Sequence, residues 1–269
     1  NDTVSQALEQ FAEAWQKDNH QKGNAWQAVS NKFGKTLSQY KDQQGYYELW
    51  LITKEGQIVY TVSQGEELGQ NVLTGNLKES PLRKVLQAAL KNQKLVIQDF
   101  EPYSPAENQY LAFFTAPLVR AGESLGVLAL GLSAEAINKI IQRREGMGNT
   151  EETYLVGESN GHISYRSDRV FKWQNRQAMG QDVRGTDIDD ALAGHSNVVV
   201  KVGSGGHLEL SAYAPLQIAG LHWCLITTIA LEEVITPKLA TEQIDFFTKY
   251  IEHKGYYDLL LIHASGKIF

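Results

Sequence analysis

Two stretches of this chain follow one plan. Phe114-Thr-Ala-Pro-Leu118, a turn, and Leu125-Gly-Val-Leu-Ala-Leu130 occur first, and Ala212-Tyr-Ala-Pro-Leu216, a turn, and Leu221-His-Trp-Cys-Leu-Ile226 occur later. An apolar, β-branched and aromatic run on each side of a short turn forms an antiparallel strand pair. Its recurrence with the same Ala-Pro-Leu marker implies two copies of one sheet architecture. Each pair is preceded by the same kinds of element. In the first copy a hairpin over Tyr47 to Thr53 and Gln57 to Val62 turns at Lys54-Glu55-Gly56, where glycine supplies a positive φ. A polar loop (Ser63 to Gly75) leads to a helix with Ser80 as N-cap and Pro81 in its first turn. The strand Leu95 to Phe100 follows, with Pro102 and Pro105 marking the connection to the next strand, Gln109 to Ala116.

The second copy has a hairpin over Thr153 to Gly157 and His162 to Tyr165, a short helix over Asp187 to Ala193 behind Thr186, and the strand Val198 to Val202. Hairpin, helical crossover and three antiparallel strands, taken twice, predict an α+β fold with helices packed on two antiparallel sheets. Before the first copy, Val4, Leu8, Phe11, Trp15, Trp26, Val29, Phe33 and Leu37 recur at helical spacing, with Gly23 a candidate break giving two helices or one bent helix. After the second copy, Glu232 to Tyr250 is helical in pattern and leads to Gly255-Tyr-Tyr-Asp-Leu-Leu-Leu-Ile, a near copy of Gly45-Tyr-Tyr-Glu-Leu-Trp-Leu-Ile. The chain is therefore expected to be part of a larger repeated protein, with residues 256–269 stabilised by borrowed contacts.

Of the 269 residues, 42% are apolar and 21% charged, enough to bury a core, and a net charge of −6 argues against a duplex nucleic-acid surface. No apolar run reaches the roughly 20 residues that span a bilayer. The single cysteine, Cys224, sits in an apolar strand and reads as an inert core thiol. The histidines are scattered without ligand spacing, Gly203-Ser-Gly-Gly206 lacks the Gly-Lys-Ser/Thr ending of a phosphate loop, and no nucleophile elbow is present. Neither catalysis nor a metal or other cofactor is indicated. Asp187-Ile-Asp189-Asp190 reads as acids favoured by a helix N-terminus, without the alternation of a calcium loop. Arg166-Ser-Asp168-Arg169 offers either an anion site or, preferably, structural salt bridges.

The order of these segments resembles the double Cache (tandem PAS-like, PDC-type) ectodomain of bacterial transmembrane receptors. The likeness rests on the N-terminal helix, the hairpin Tyr47 to Tyr60, Asp99-Phe-Glu-Pro-Tyr-Ser-Pro, Leu125-Gly-Val-Leu-Ala-Leu, Glu152-Thr-Tyr-Leu-Val-Gly with Tyr165-Arg-Ser-Asp-Arg, and Leu210-Ser-Ala-Tyr-Ala-Pro-Leu. It covers nearly everything from Gly45 to Pro237. The resemblance implies a long N-terminal helix over residues 1–43, a membrane-distal PAS-like lobe over 44–144, a membrane-proximal lobe over 145–236, and a connecting helix with a truncated further repeat over 237–269. It further implies a periplasmic or extracellular sensor, flanked by transmembrane helices, dimerising through its N-terminal helices and driving a chemoreceptor, kinase or cyclase output.

In that family the ligand usually sits in the first lobe. The candidate ligand contacts are Asp99 and Tyr103, with Glu101 beside them, and Tyr110, Phe113 and Thr115 on the following strand. A carboxylate among tyrosines suits an amine or a hydroxylated solute in an aromatic-walled cleft. Along Gln109 to Ala116 alternation separates Leu111, Phe113 and Thr115 from Tyr110, Ala112 and Phe114. Relatives that bind amino acids carry an Arg, Trp and Tyr cluster before the third strand. Ala88 to Phe100 contains neither Arg nor Trp, so an α-amino-acid ligand is unsupported. The leading expectation is a small-molecule sensor; the alternative is a ligand-free spacer or dimerisation ectodomain.

Overall fold

The computed structural model describes residues 2–171, 178–203, 205–235 and 253–255. Residues 256–269 of the terminal Gly-Tyr-Tyr repeat, and nearly all of the expected helix Glu232 to Tyr250, lie outside the described residues. Helices α1 (Asp2–Lys17) and α2 (Asn24–Gln44) open the chain. They are two helices because Asp18, just beyond α1, folds its carboxylate onto the start of α2, accepting from the backbone N–H of Ala25 at 3.3 Å and of Trp26 at 2.7 Å. A Cβ on Gly23 would lie 2.5 Å from the Asp18 Cγ, so the break needs glycine there.

The first sheet contains β1 (Glu48–Thr53), β2 (Ile58–Thr61), β3 (Val96–Tyr103), β4 (Gln109–Arg120) and β5 (Glu123–Ser133), in the order β2-β1-β5-β4-β3, with every pairing antiparallel. All six residues of β1 are buried because both faces are covered. Leu49 and Leu51 point towards α1 and α2, where Leu8, Phe11, Trp15, Trp26 and Phe33 pack. Trp50 and Ile52 point the other way, towards Leu82, Val85 and Leu86 of α3 (Pro81–Asn92). The indole of Trp26 donates to the Val59 carbonyl at 2.9 Å, so this buried aromatic leaves no polar atom unmade. Alternation along β4 divides as expected: Leu111 and Phe113 join the α3 side, Phe114 the α1/α2 side.

The second sheet, β6 (Glu152–Ser159), β7 (His162–Tyr165), β8 (Asn197–Val202), β9 (Leu208–Ile218) and β10 (Leu221–Ala230), repeats the order as β7-β6-β10-β9-β8. Helix α5 (Thr186–Leu192) takes the place of α3, laying Ile188, Ala191 and Leu192 on Tyr154, Val156 and Ile226. Cys224 is buried in that core, and burial pushes its thiol up to about 12, as suits an inert side chain. The shared Ala-Pro-Leu segments fall at one structural position. Pro117 and Pro215 lie on strands interior to their sheets, but beyond the last residues, Thr115 and Tyr213, that pair with the outer neighbour. A residue without an N–H is tolerated there because no partner strand awaits it.

Three local expectations are adjusted. Strand β3 continues through Pro102 to Tyr103, into the segment where Pro102 and Pro105 were expected to mark the connection. Ser80 stands at the N-cap of α3, yet its side chain makes no capping bond. Helix α5 begins one residue early, at Thr186, with Gly185 before it. Helix α4 (Ala134–Ile141), capped by the Ser133 hydroxyl accepting from Ala136 N–H, carries the chain from the first sheet to the second.

Candidate ligand cleft and the junction between lobes

A cleft of about 740 Å³ opens in the first lobe. Its walls are the start of β1, the loop after β2, the approach to α3, and the turn following β3, so four separate chain segments meet there. Glu48 sits at its edge, only 3% exposed, and its carboxylate accepts from the backbone N–H of Leu49 (2.7 Å), Val62 (2.9 Å) and Ser63 (3.0 Å). Glu67 accepts from the Trp50 indole at 3.1 Å and from the Tyr103 hydroxyl. Trp50, Tyr103 and Phe113 form an edge-packed aromatic cluster behind it, with Tyr103 and Phe113 centroids 5.3 Å apart.

The electrostatics of the cleft are one-sided. Burial raises the Glu67 carboxyl above the ordinary range; the Tyr103 and Trp50 hydrogen bonds pull it down, and the Glu48 charge adds to the rise. Tyr103 is raised well above a free tyrosine, first by burial and then by the Glu67 charge. Tyr47 is raised by burial and then by Glu67, Glu48 and Glu107. No lysine, arginine or histidine lines the cleft among the described residues. Gln70 and Ser80 also line it, and the Gln70 Oε1 and Ser80 Oγ are buried without a hydrogen-bond partner.

The other polar concentration lies between the lobes. In β3 the register slips so that Asp99 and Phe100 together oppose Ala112, a bulge that turns both side chains towards the second lobe. The Asp99 carboxylate, 7% exposed, receives Arg166 Nε at 2.9 and 2.8 Å and Nη2 at 2.8 Å, together with the Trp223 indole at 3.1 Å. Arg166 also donates to the Ser164 carbonyl (3.1 Å) and hydroxyl (2.6 Å). Phe100 stacks on Trp223 with centroids 5.9 Å apart and planes 15° from parallel.

The segment Arg166-Ser-Asp-Arg169 is the hub of this junction. Ser167 accepts from the Leu155 N–H, Asp168 binds the Asn138 amide of α4 and the Met179 N–H, and Arg169 pairs with buried Glu152. These are the structural salt bridges preferred for that motif; a charge-paired, fully hydrogen-bonded guanidinium can be buried where a bare one cannot. Asp187 likewise is not merely a helix-terminal acid: it is buried and receives Lys201 at 2.6 Å and Ser211 at 2.8 Å.

The candidate ligand residues are thus divided. Tyr103 and Phe113 are brought together behind the cleft, Tyr103 reaching it through Glu67. Thr115, on the same face of β4 as Phe113, is fully buried with its hydroxyl unpartnered. Asp99 and Tyr110 face the second lobe instead, because the bulge reverses Asp99 and because Tyr110 closes on Gly180, where a Cβ would come within 2.2 Å of its ring. Glu101 pairs with Lys84 of α3 at 2.8 Å. The cleft residues that pattern reading missed are Glu48, a charge set into the apolar run of β1, and Glu67, in the polar loop after β2.

Residues 2–237 match the model of the Cache domain. The chain belongs to the Cache domain family. Solved structures share its fold at low identity. The ligand-binding domain of the Pseudomonas aeruginosa PAO1 amino acid chemoreceptor PctB, in complex with L-Arg, is similar at 15% identity and TM-score 0.51, over 88% of this chain and 92% of that one. The ligand-binding domain of the Campylobacter jejuni chemoreceptor Tlp3, in complex with 4-methylisoleucine, is similar at 14% identity and TM-score 0.54, over 88% and 90%. The extracellular domain of the putative histidine kinase mmHK1S-Z3 is similar at 14% identity and TM-score 0.51, over 86% and 95%. No curated protein matches the sequence. Among the described residues no helix is long and apolar enough to cross a membrane.

Proposed function

We propose that this Cache domain is the extracytoplasmic sensing region of a transmembrane receptor, that a small molecule binds in the first-lobe cleft, and that strand β3 relays binding to the second lobe. The observation that carries this reading is the double use of β3. Pro102 and the turn that follows Tyr103 wall the cleft, while Asp99 and Phe100 of the same strand are clamped by Arg166 and Trp223. A ligand that draws the β3 end inward also strains or relaxes the clamp. It biases the lobes only by its difference in affinity for the two arrangements. Helices at the ends of the domain then carry the shift to a cytoplasmic output module. The proposed division is a helical segment to residue 43, a first lobe to 144 and a second to 236, with assembly through the outer faces of α1 and α2.

Thermal-shift screening of amines, organic acids, amino acids and nucleobases tests this. A ligand should raise the melting midpoint, and hydrogen exchange should then slow both at the cleft and around residues 164–169. If no compound stabilises the protein, the spacer reading replaces the sensor. If protection stops at the cleft, the relay through β3 fails.

A further inference from the structure

We infer that strand β8 is an interaction surface for a second copy of this chain, the two copies pairing antiparallel along that edge about a two-fold axis at Val200. Among the described residues the two sheets end on four edge strands, β2, β3, β7 and β8. An edge presents unmade N–H and C=O groups, which soluble proteins guard. The β2 edge is closed by the loop behind it: Ile58 N–H donates to the Gln70 carbonyl and Gly69 N–H to the Ile58 carbonyl, both at 3.0 Å. The β7 edge is closed by residues 180–183, with Gly180 N–H on the Tyr165 carbonyl at 2.9 Å and Val183 N–H on the Ile163 carbonyl at 3.1 Å. The β3 edge carries its bulge at Asp99 and Phe100 and then Pro102, both of which discourage a further strand. The β8 edge has no such guard. Among the described residues no backbone pairs beyond it, and Asn197-Val-Val-Val-Lys-Val202 runs without a bulge or a proline.

The open edge is also self-complementary, and this selects the occupant. Gly203 N–H donates to the His207 carbonyl at the end of the β8–β9 ladder, which makes the odd-numbered residues of β8 the ones bonded to β9. Val198, Val200 and Val202 therefore aim their N–H and C=O groups off the sheet. The Val198 N–H is met only by the neighbouring Asn197 Oδ1, at 2.8 Å. The side chains of the same three valines share one face, and Val198 and Val202 are each 55% exposed. An antiparallel copy centred on Val200 sets Val200 on Val200 and Val198 on Val202, so each outward donor meets an outward acceptor. The one charge in the strand, Lys201, then faces Val199 rather than a second Lys201, and it is already paired with Asp187 at 2.6 Å and Glu209 at 3.4 Å. An uncharged edge, nearly symmetric about its middle residue, is what an isologous contact requires. Six residues a side fall short of the roughly 800 Å² per partner of a stable dimer, so the association is weak and concentration-dependent.

Sedimentation equilibrium of the intact protein at rising concentration is the test. Wild type should show reversible association to a dimer. Val198→Lys combined with Val202→Lys sets lysines opposite one another on both sides of the axis, and should weaken association by about 10-fold or more. Val198→Glu combined with Val202→Lys makes opposite-charge pairs in the same register and should restore it. Val200→Cys should form an interchain disulfide under mild oxidation, because residue 200 alone meets itself. Val198→Cys should not, its counterpart lying about 13 Å away, beyond the reach of a disulfide. Cys224 is buried and takes no part. If a charged variant does not keep the wild-type melting midpoint, the cysteine pair decides. A wild type that stays monomeric at about 1 mM, with no cross-link at residue 200, overturns the inference. A dimer unaltered by the two lysines also overturns it and places assembly elsewhere, such as the faces of α1 and α2. Equal loss in the lysine and charge-swapped variants, or equal cross-linking at residues 198 and 200, refutes the register and the edge pairing with it.

Discussion

The carboxylate of Asp99 and the guanidinium of Arg166 meet 67 residues apart in sequence, both buried, with Nε and Nη2 at 2.8–2.9 Å from the two oxygens. The pair joins one lobe to the other, and the Trp223 indole completes the carboxylate's coordination. Removing one member strands the other charge in a dry site. Asp99→Leu and Arg166→Met should therefore each cost about 3–5 kcal/mol. The double variant should recover part of that loss, with a coupling on the order of 1–3 kcal/mol. Urea denaturation of the four proteins measures it; additive losses would show that the pair contributes nothing as a pair.

Gly157 on β6 makes the neighbouring stack possible. A Cβ there would lie 2.4 Å from Trp223 Cδ1, 2.8 Å from its Nε1 and 3.0 Å from Arg166 Cγ. No left-handed φ is involved, so the effect of Gly157→Ala is steric alone. The indole must tilt away from Phe100 and loosen its bond to Asp99. A loss of about 1–3 kcal/mol is expected, the usual cost of overpacking. Quenching or shift of tryptophan fluorescence should accompany it, and a melt indistinguishable from wild type would refute the packing argument.

The repeated architecture was legible in the chain because its signals are local. Period-two runs and the Ala-Pro-Leu marker both depend only on neighbours in sequence, and both sheets follow them. Gly23 signalled a helix break, though the Asp18 carboxylate that secures it was not readable. The site was harder for a physical reason. One extra residue in β3 turns Asp99 from the cleft to the junction, and nothing in Gln98-Asp-Phe-Glu101 announces a bulge. Glu48 and Glu67 meet only because a loop folds back over the start of β1, a contact with no periodic signature. The motif Arg166-Ser-Asp-Arg169 was identifiable as structural, but its partners Asp99, Asn138, Leu155 and Glu152 come from three different elements, β3, α4 and β6.

The second lobe should carry the acid sensitivity of the fold at Asp187. Burial pushes its carboxyl up, but hydrogen bonds from Lys201 and Ser211, with the Lys201 charge, outweigh this and hold it below the usual aspartate range. A carboxyl depressed in the folded state stabilises the fold above its unfolded value of about 3.9, and that contribution fades as pH falls through the lower folded value. Asp187→Asn should lower stability at neutral pH and flatten the dependence below about pH 4. Melting curves from pH 7 to pH 2.5 check this; an unchanged acid limb in the variant would place the sensitivity elsewhere.

Glu67 has the opposite sign. Its folded carboxyl is raised, chiefly by burial, so ionisation costs stability at any pH above that raised value. The cost diminishes as pH falls through the folded value and is gone below the unfolded one, about 4.3. Glu67→Gln keeps an Oε1 to accept from the Trp50 indole and the Tyr103 hydroxyl while removing the charge. The variant should be more stable than wild type at neutral pH, by on the order of 1 kcal/mol or about 2–4 °C in Tm for a chain of this size. The two melting curves should converge as pH falls well below the unfolded value of about 4.3, where wild-type Glu67 becomes protonated in both states. A gain in stability would mark Glu67 as a charge kept for something other than the fold. A variant less stable than wild type at pH 7 would mean that the carboxylate is held by a cation the fold itself supplies.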